Sequence, residues 1–167
     1  MSEKHPHAAT ALFGGSCACG RIFFESSVLP ERVHNCHCVT CRKISGGPYQ
    51  SFADVGSKDV LFYDKQDSLR YDGLPVDNIG GIAFKRFSKS GERAFCRDCN
   101  SMFAMRYKHY PWLTGLTLGS LDEQTFENDA VAETLKPRMQ IFSSQRIWWY
   151  DVGKDGLPCF ERFSDDF

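Results

Sequence analysis

The sequence predicts a mainly β protein, built of sheets packed on one another with few short helices. Three observations predict it. Short runs rich in β-branched and aromatic residues recur from Gly20 onward, clusters of Gly, Pro, Asp, Asn and Ser separate them, and helical periodicity is thin. Many short strands with frequent turns argue for stacked sheets and against a βαβ repeat.

In chain order the strand segments are GRIFFES (20–26), ERVHNCHC (31–38), PYQSFADV (48–55), VLFYD (60–64) and SLRYDG (68–73). GIAFKRFS (81–88), MFAMRY (102–107), LTGLTLGSL (113–121), RMQIFSS (138–144) and IWWYDV (147–152) follow. Turn signals fall at SGGP (45–48), YDGLP (71–75) and SKSGE (88–92). Two stretches carry helical character: VTCRKIS (39–45), long enough for one or two turns, and DEQTFENDAVAETL (122–135), which suits a short amphipathic helix. No repeat, low-complexity run or Gly/Ser-rich linker divides the chain. Residues 1–13 read as a loose tail and residues 14–167 as a single domain.

At 167 residues and 19.0 kDa, with fourteen phenylalanines, six tyrosines and three tryptophans, the chain can bury a core without disulfide staples. Twenty basic against twenty-one acidic residues leave a net charge of −1, which provides no footprint for nucleic acid or an anionic membrane. The N-terminal MSEKHPHAATALFGG lacks the apolar run of a secretory signal, and apolar stretches elsewhere are too broken to span a bilayer. The expectation is a cytoplasmic protein. In a reducing compartment its eight cysteines are better explained as metal ligands or reactive thiols than as disulfides.

Those cysteines fall into four groups: C-x-C (Cys17, Cys19), C-x-C-x-x-C (Cys36, Cys38, Cys41), C-x-x-C (Cys96, Cys99) and Cys159 alone. In a strand, residues i and i+2 share a face, so C-x-C presents two thiolates side by side. C-x-x-C curls around a turn so that both sulfurs converge on one ion. A closed tetrahedral zinc site takes four ligands, and Cys17, Cys19, Cys96 and Cys99 sum to four. Cys36, Cys38 and Cys41 are left as three, and three protein ligands plus an exchangeable position is the pattern of a catalytic site. Three residues compete for that fourth position. His34 shares strand parity with Cys36 and Cys38, which makes it the better candidate as a ligand or supporting group; His37 should face the other way as a surface or core histidine. Cys159 has no partner in sequence and is expected to be buried as a small hydrophobe. Neither C-x-x-C sits in the βαβ setting of a disulfide-exchange motif.

The ligand set restricts the chemistry. Zinc with three thiolates is a weaker Lewis acid than zinc on neutral histidines, so water activation is disfavoured. Sulfur-rich zinc suits capture of one more thiolate, which it leaves nucleophilic toward a small electrophile. Arg42, Lys43 and Arg97 are placed to offset the anionic centre or bind a substrate carboxylate. Gly46 and Gly47 in the SGGPY turn can bring backbone N–H groups close to a ligand. Solvated surface charge and an ordinary turn are the plain alternatives for these residues.

The set GGSCACGRIFFE, NCHCVTCRKISGGPY, FCRDCNS and LTLGSLDE resembles the glutathione-dependent formaldehyde-activating enzyme family, which includes centromere protein V-like proteins. The resemblance covers nearly the whole chain from Gly14. It implies a β-tent of layered, mostly antiparallel sheets with two zinc (Zn2+) sites: a structural one on Cys17, Cys19, Cys96 and Cys99, and a catalytic one on Cys36, Cys38 and Cys41 whose fourth position accepts the glutathione sulfur. The implied activity is that of a carbon–sulfur lyase joining formaldehyde and glutathione as S-(hydroxymethyl)glutathione. The chain departs from the family pattern at Asn100, where Gly is common, at Gln140-Ile141 in place of His-Ile, and in a longer segment from Leu121 to Pro137. Asn tolerates the left-handed conformation that a Gly would adopt. The competing expectations are a non-catalytic, zinc-stabilised module docking a protein or nucleic acid, and a sensor whose open site responds to oxidants or metal supply.

Overall fold

The computed structural model describes residues 11–163. Two sheets carry the fold. The smaller is antiparallel throughout, in the order β1 (Phe13–Ser16), β2 (Ile22–Ser26), β5 (Val60–Asp64), β6 (Leu69–Asp72). The larger runs β11 (Met139–Ile141), β3 (Arg32–Cys36), β4 (Gln50–Gly56), β10 (Leu113–Thr117), β9 (Met102–Tyr107), β8 (Gly91–Cys96), β7 (Ile82–Ser88). It is antiparallel except where β11 pairs in parallel with β3. Phe13, Ile22, Phe24 and Phe62 of the small sheet form one buried cluster with Val33, Ala53, Phe103 and Leu116 of the large one. Each such phenylalanine contributes about 1.5–3 kcal/mol by leaving water.

The layered, mostly antiparallel expectation holds, with differences in detail. Strand β1 comes from FGGS, which lacks β-branched residues; a Cβ on Gly15 would stand 2.1 Å from the Ser120 carbonyl, so glycine permits the close approach that the strand needs. Phe13, assigned above to the tail, begins this strand and is fully buried. The remainder of that tail, residues 1–10, lies outside the described residues. Strand β8 occupies GERAFC, where only a turn and a metal knuckle were expected. The IWWYDV segment is not a strand: Trp148 and Trp149 face solvent.

Helix α1 (Val39–Ser45) has the expected bounds. The stretch 122–135 holds the short helix expected of it, confined to its second half. A 3-10 turn covers Glu123–Thr125, and α2 (Asp129–Thr134) starts only after Asn128, whose side chain accepts a hydrogen bond from the Val131 N–H at 3.0 Å and caps it. Among the described residues no helix is long and apolar enough to cross a membrane.

Candidate functional site

The first cysteine cluster joins the two sheets. Cys17 follows β1, and a tight turn at Gly20 (φ 74°) sets the Cys17 carbonyl against the Gly20 N–H at 2.8 Å. Cys96 ends β8, and the chain reverses through Asn100, whose φ of 58° is the left-handed conformation expected there. The Asn100 N–H donates to the Cys96 carbonyl at 2.9 Å. Cys17, Cys19, Cys96 and Cys99 thereby bring their sulfurs within 4.8 Å of one another, with Cys17–Cys19 at 3.6 Å and Cys19–Cys96 at 3.7 Å. Four sulfurs bound at about 2.3 Å to one tetrahedral zinc stand ~3.8 Å apart, so the set fits such an ion. The Ile22 N–H donates to Cys17 Sγ at 3.2 Å, and Ser101 Oγ lies 3.0 Å from Cys99 Sγ, partners that orient the sulfurs. Burial pushes the Cys17 thiol up to about 12, whereas hydrogen bonds from Ser101 outweigh burial at Cys99 and hold it down at about 6.

The second cluster is built on the β3–α1 junction. Cys36 ends β3, Cys38 is the N-cap of α1, and Cys41 lies in its first turn, its N–H directed to Cys38 Sγ at 3.4 Å. The three sulfurs again lie within 4.8 Å of one another. Contacts from Cys36 and Cys41 hold the Cys38 thiol down at about 2, whereas contacts with Cys38 and Cys41, together with burial, push Cys36 well above the ordinary thiol range. Three sulfurs sharing negative charge in a largely buried pocket are a donor set for a soft cation. Among the described residues no fourth Cys, His, Asp or Glu completes this group.

Cys36, Cys38 and Cys41 all face a cavity of about 350 Å³. Phe52, Met105, Ile141, Phe142 and Phe163 make its apolar wall, and His34, Tyr107, Arg93 and Lys89 are its main polar groups. The Tyr107 hydroxyl donates to Asp54 Oδ1 at 2.6 Å, and the buried Asp54 also faces Arg32 Nε at 3.5 Å and His34 Nδ1 at 3.6 Å. Burial, reinforced by the Asp54 carboxylate, pushes the Tyr107 phenol well above its ordinary range. Burial also lowers His34, against the pull of Asp54, which favours a neutral imidazole.

The structure places His34 in the cavity wall but outside the sulfur group. His37 is fully buried, with Nε2 at 2.7 Å from Gln140 Oε1 and its ring between Tyr49 and Tyr150. Cys159 is exposed, contrary to expectation: its backbone pairs with Gln140 and its thiol donates outward to the Leu157 carbonyl at 3.4 Å. Arg42, Lys43, Gly46 and Gly47 do not line the cavity; Gly46 (φ 72°) instead closes α1, its N–H donating to the Arg42 carbonyl. Arg93, Lys89, Asp54 and Tyr107 were not singled out by sequence. Arg93 is not found from sequence because GERAFC gives no strand signal, which hides the alternation that buries Ala94 and Cys96 in the core and leaves Arg93 on the cavity side of β8.

The sequence model of a family described as glutathione-dependent formaldehyde-activating enzyme matches residues 12–145. A protein of Schizosaccharomyces pombe named as an uncharacterized lyase is 24% identical over 95 residues, covering 57% of this chain. The match spans 58% of that relative's length. A crystal structure of a Rhodobacter sphaeroides protein is similar with a TM-score of 0.49 and 13% identity, over 88% of this chain and 98% of the other.

Proposed function

This chain belongs to the glutathione-dependent formaldehyde-activating enzyme family, and from that premise we propose that it is a zinc-dependent carbon–sulfur lyase. In this reading it binds glutathione or a similar small thiol and forms or cleaves an S-hydroxymethyl-type adduct with a small aldehyde. The observation that carries the reading is the asymmetry of the clusters. One has four sulfurs, and the other has three that open together onto a cavity. The lyase name of the relative points the same way. Thiolate ligands also need a reducing compartment, in keeping with a cytoplasmic enzyme.

Cys17, Cys19, Cys96 and Cys99 would hold a structural zinc, and Cys36, Cys38 and Cys41 a catalytic one. When bound, the second zinc supplies a Lewis acid that lowers the pKa of a substrate thiol without abolishing its nucleophilicity. The residues of the chain do the rest. Phe52, Met105, Ile141 and Phe142 give the cavity an apolar wall, against which electrostatic contacts with a bound substrate would be strengthened. Tyr107 keeps its phenolic proton on the bond to Asp54 Oδ1, which fixes that side of the wall. In the forward direction the thiol sulfur forms a bond to the aldehyde carbon and the carbonyl π pair moves to oxygen. The proton lost by sulfur ends on that oxygen, so no oxidant or reductant is consumed.

The test is metal stoichiometry with zinc-edge X-ray absorption, with and without glutathione. The expected result is two zincs, one of which gains a sulfur neighbour when the thiol is added. A companion exchange measurement with carbon-13 formaldehyde should show faster adduct formation than in buffer, and Cys41→Ser should abolish the gain. Two zincs with unchanged, protein-filled shells would overturn the reading in favour of a binding module.

A further inference from the structure

Arg93 projects from β8 into the cavity wall at 2% exposure, with Nη2 3.8 Å from Cys41 Sγ. Its Nε and Nη1 are buried and make no hydrogen bond, and among the described residues no carboxylate pairs with it. A buried guanidinium without a counter-charge is costly, so the compensating charge must be the sulfur cluster itself. Three thiolates on a divalent ion carry one negative charge, and Arg93 cancels it. An entering thiolate therefore meets a nearly neutral site and is not repelled.

That balance leaves one cation of the cavity wall uncommitted. Lys89, in the turn between β7 and β8, lines the cavity and joins no ion pair among the described residues. Its neighbours are engaged elsewhere: Arg86 and Arg106 both bind Glu92, at 2.7 and 2.6 Å, and Lys85 sits over the Phe95 ring at 4.8 Å. Beside Lys89, Ser88 and Ser90 hold their hydroxyls 2.7 Å apart and also face the cavity. A second groove shares Ser88, Lys89 and Tyr107 with the cavity and adds the exposed Lys108, so positive charge continues outward from the mouth. An apolar cleft with the Cys36, Cys38 and Cys41 sulfurs at one end and an unpaired ammonium at its rim fits a ligand with an apolar body and an anionic arm.

Resting on the thiol-binding reading above, we propose that Lys89 is the specificity-determining residue of this cavity, taking a carboxylate on the substrate's arm while the thiol faces Cys36, Cys38 and Cys41. The role is thereby assigned to the β7–β8 turn and not to Arg42 or Lys43 on α1.

The test compares glutathione with its diethyl ester, which keeps the body and thiol but removes both carboxylate charges. Binding of each to the zinc-loaded full chain is measured by calorimetry at low and high salt. The wild type should bind the acid about tenfold tighter than the ester, a difference of about 1.4 kcal/mol, and added salt should narrow the gap. Lys89→Met should bring the two affinities within about twofold, and Lys89→Arg should restore the preference. Because Lys89 is exposed, these variants should keep two zincs and the wild-type melting temperature. Equal binding of acid and ester by the wild type, or a preference that survives Lys89→Met, overturns the inference while the thiol reading stands. Failure of the wild type to bind either thiol overturns both.

Discussion

Cys19 Sγ lies 3.7 Å from Cys96 Sγ, although 77 residues separate them in the chain. Cys19 belongs to the turn that leaves the small sheet at β1, and Cys96 ends a strand of the large one. An ion held between these sulfurs therefore ties the two sheets together. The cluster of Cys36, Cys38 and Cys41 has no such reach, since all three residues come from the single β3–α1 junction.

Loss of a ligand should consequently have unequal effects. Cys17→Ser or Cys99→Ser should remove one zinc and lower stability by more than about 4 kcal/mol, as expected when a metal that spans distant segments is lost. Cys41→Ser should also remove one zinc, yet leave a cooperative thermal transition much closer to wild type. Native mass spectrometry of the metal content, paired with thermal melting, distinguishes the two classes. Equal unfolding by both would mean that the second cluster is structural as well.

Arg21 is the next support of that junction. It binds Asp64 through Nε at 3.0 Å, Asp98 through Nη1 at 2.9 Å and Asp67 through Nη2 at 3.0 Å, and thus links β5 to the knuckle between Cys96 and Cys99. The Asp64 side chain is fully buried. Arg21→Met should destabilise the protein by about 3–5 kcal/mol, because it leaves a buried carboxylate without its partner. Denaturant unfolding of the zinc-loaded protein measures this, and a change below about 1 kcal/mol would show that Asp64 finds another counter-charge.

The same pair sets an acid dependence. Burial pushes the Asp64 carboxyl up, but the Arg21 guanidinium and the Gly81 and Asp67 N–H groups outweigh it, so the folded-state pKa is depressed. A depressed carboxylate stabilises the fold fully above its unfolded value near pH ~4. That contribution is lost as pH falls through the folded value. The stability gap between wild type and Asp64→Asn should thus be constant near neutrality and close below pH ~4. A gap that widens in acid would reverse the sign and refute the assignment.

Much of this was legible in the sequence, and the losses have physical causes. Both cysteine clusters follow from cysteine spacing and count, although the C-x-C pairs converge through turns and a helix N-cap and not through the strand parity expected of them. Helix α1 is legible because the αL position at Gly46 ends it. Strand β8 was hidden by polar residues whose charges are balanced by partners distant in sequence, Glu92 by Arg106 and Arg93 by the sulfurs. Strand β1 was hidden because its glycines serve a close approach that only the folded chain creates. The aromatic-rich 147–152 segment misled in the opposite direction: Tyr150 packs on His37 and Tyr49, while Trp148 stays 90% exposed. Without an adjoining strand, β propensity alone does not make one.

The departure at Gln140 has its own consequence. Its amide bridges two groups: Oε1 accepts from His37 Nε2–H at 2.7 Å, and Nε2 donates to Asp155 Oδ2. With the amide nitrogen committed to a carboxylate, only the His37 tautomer protonated at Nε2 satisfies the pair. His37 Nδ1 has no hydrogen-bond partner among the described residues, so this one contact carries the polar demand of a fully buried ring. Gln140→Leu should therefore cost about 1–3 kcal/mol, the penalty of stranding a buried donor, with little direct effect on the sulfurs. Thermal melting reads the cost, and long-range proton–nitrogen NMR of the imidazole reads the tautomer. A wild-type His37 protonated at Nδ1 instead would mean that Gln140 is turned the other way, with its oxygen toward the Asp155 carboxylate, and would refute the assignment.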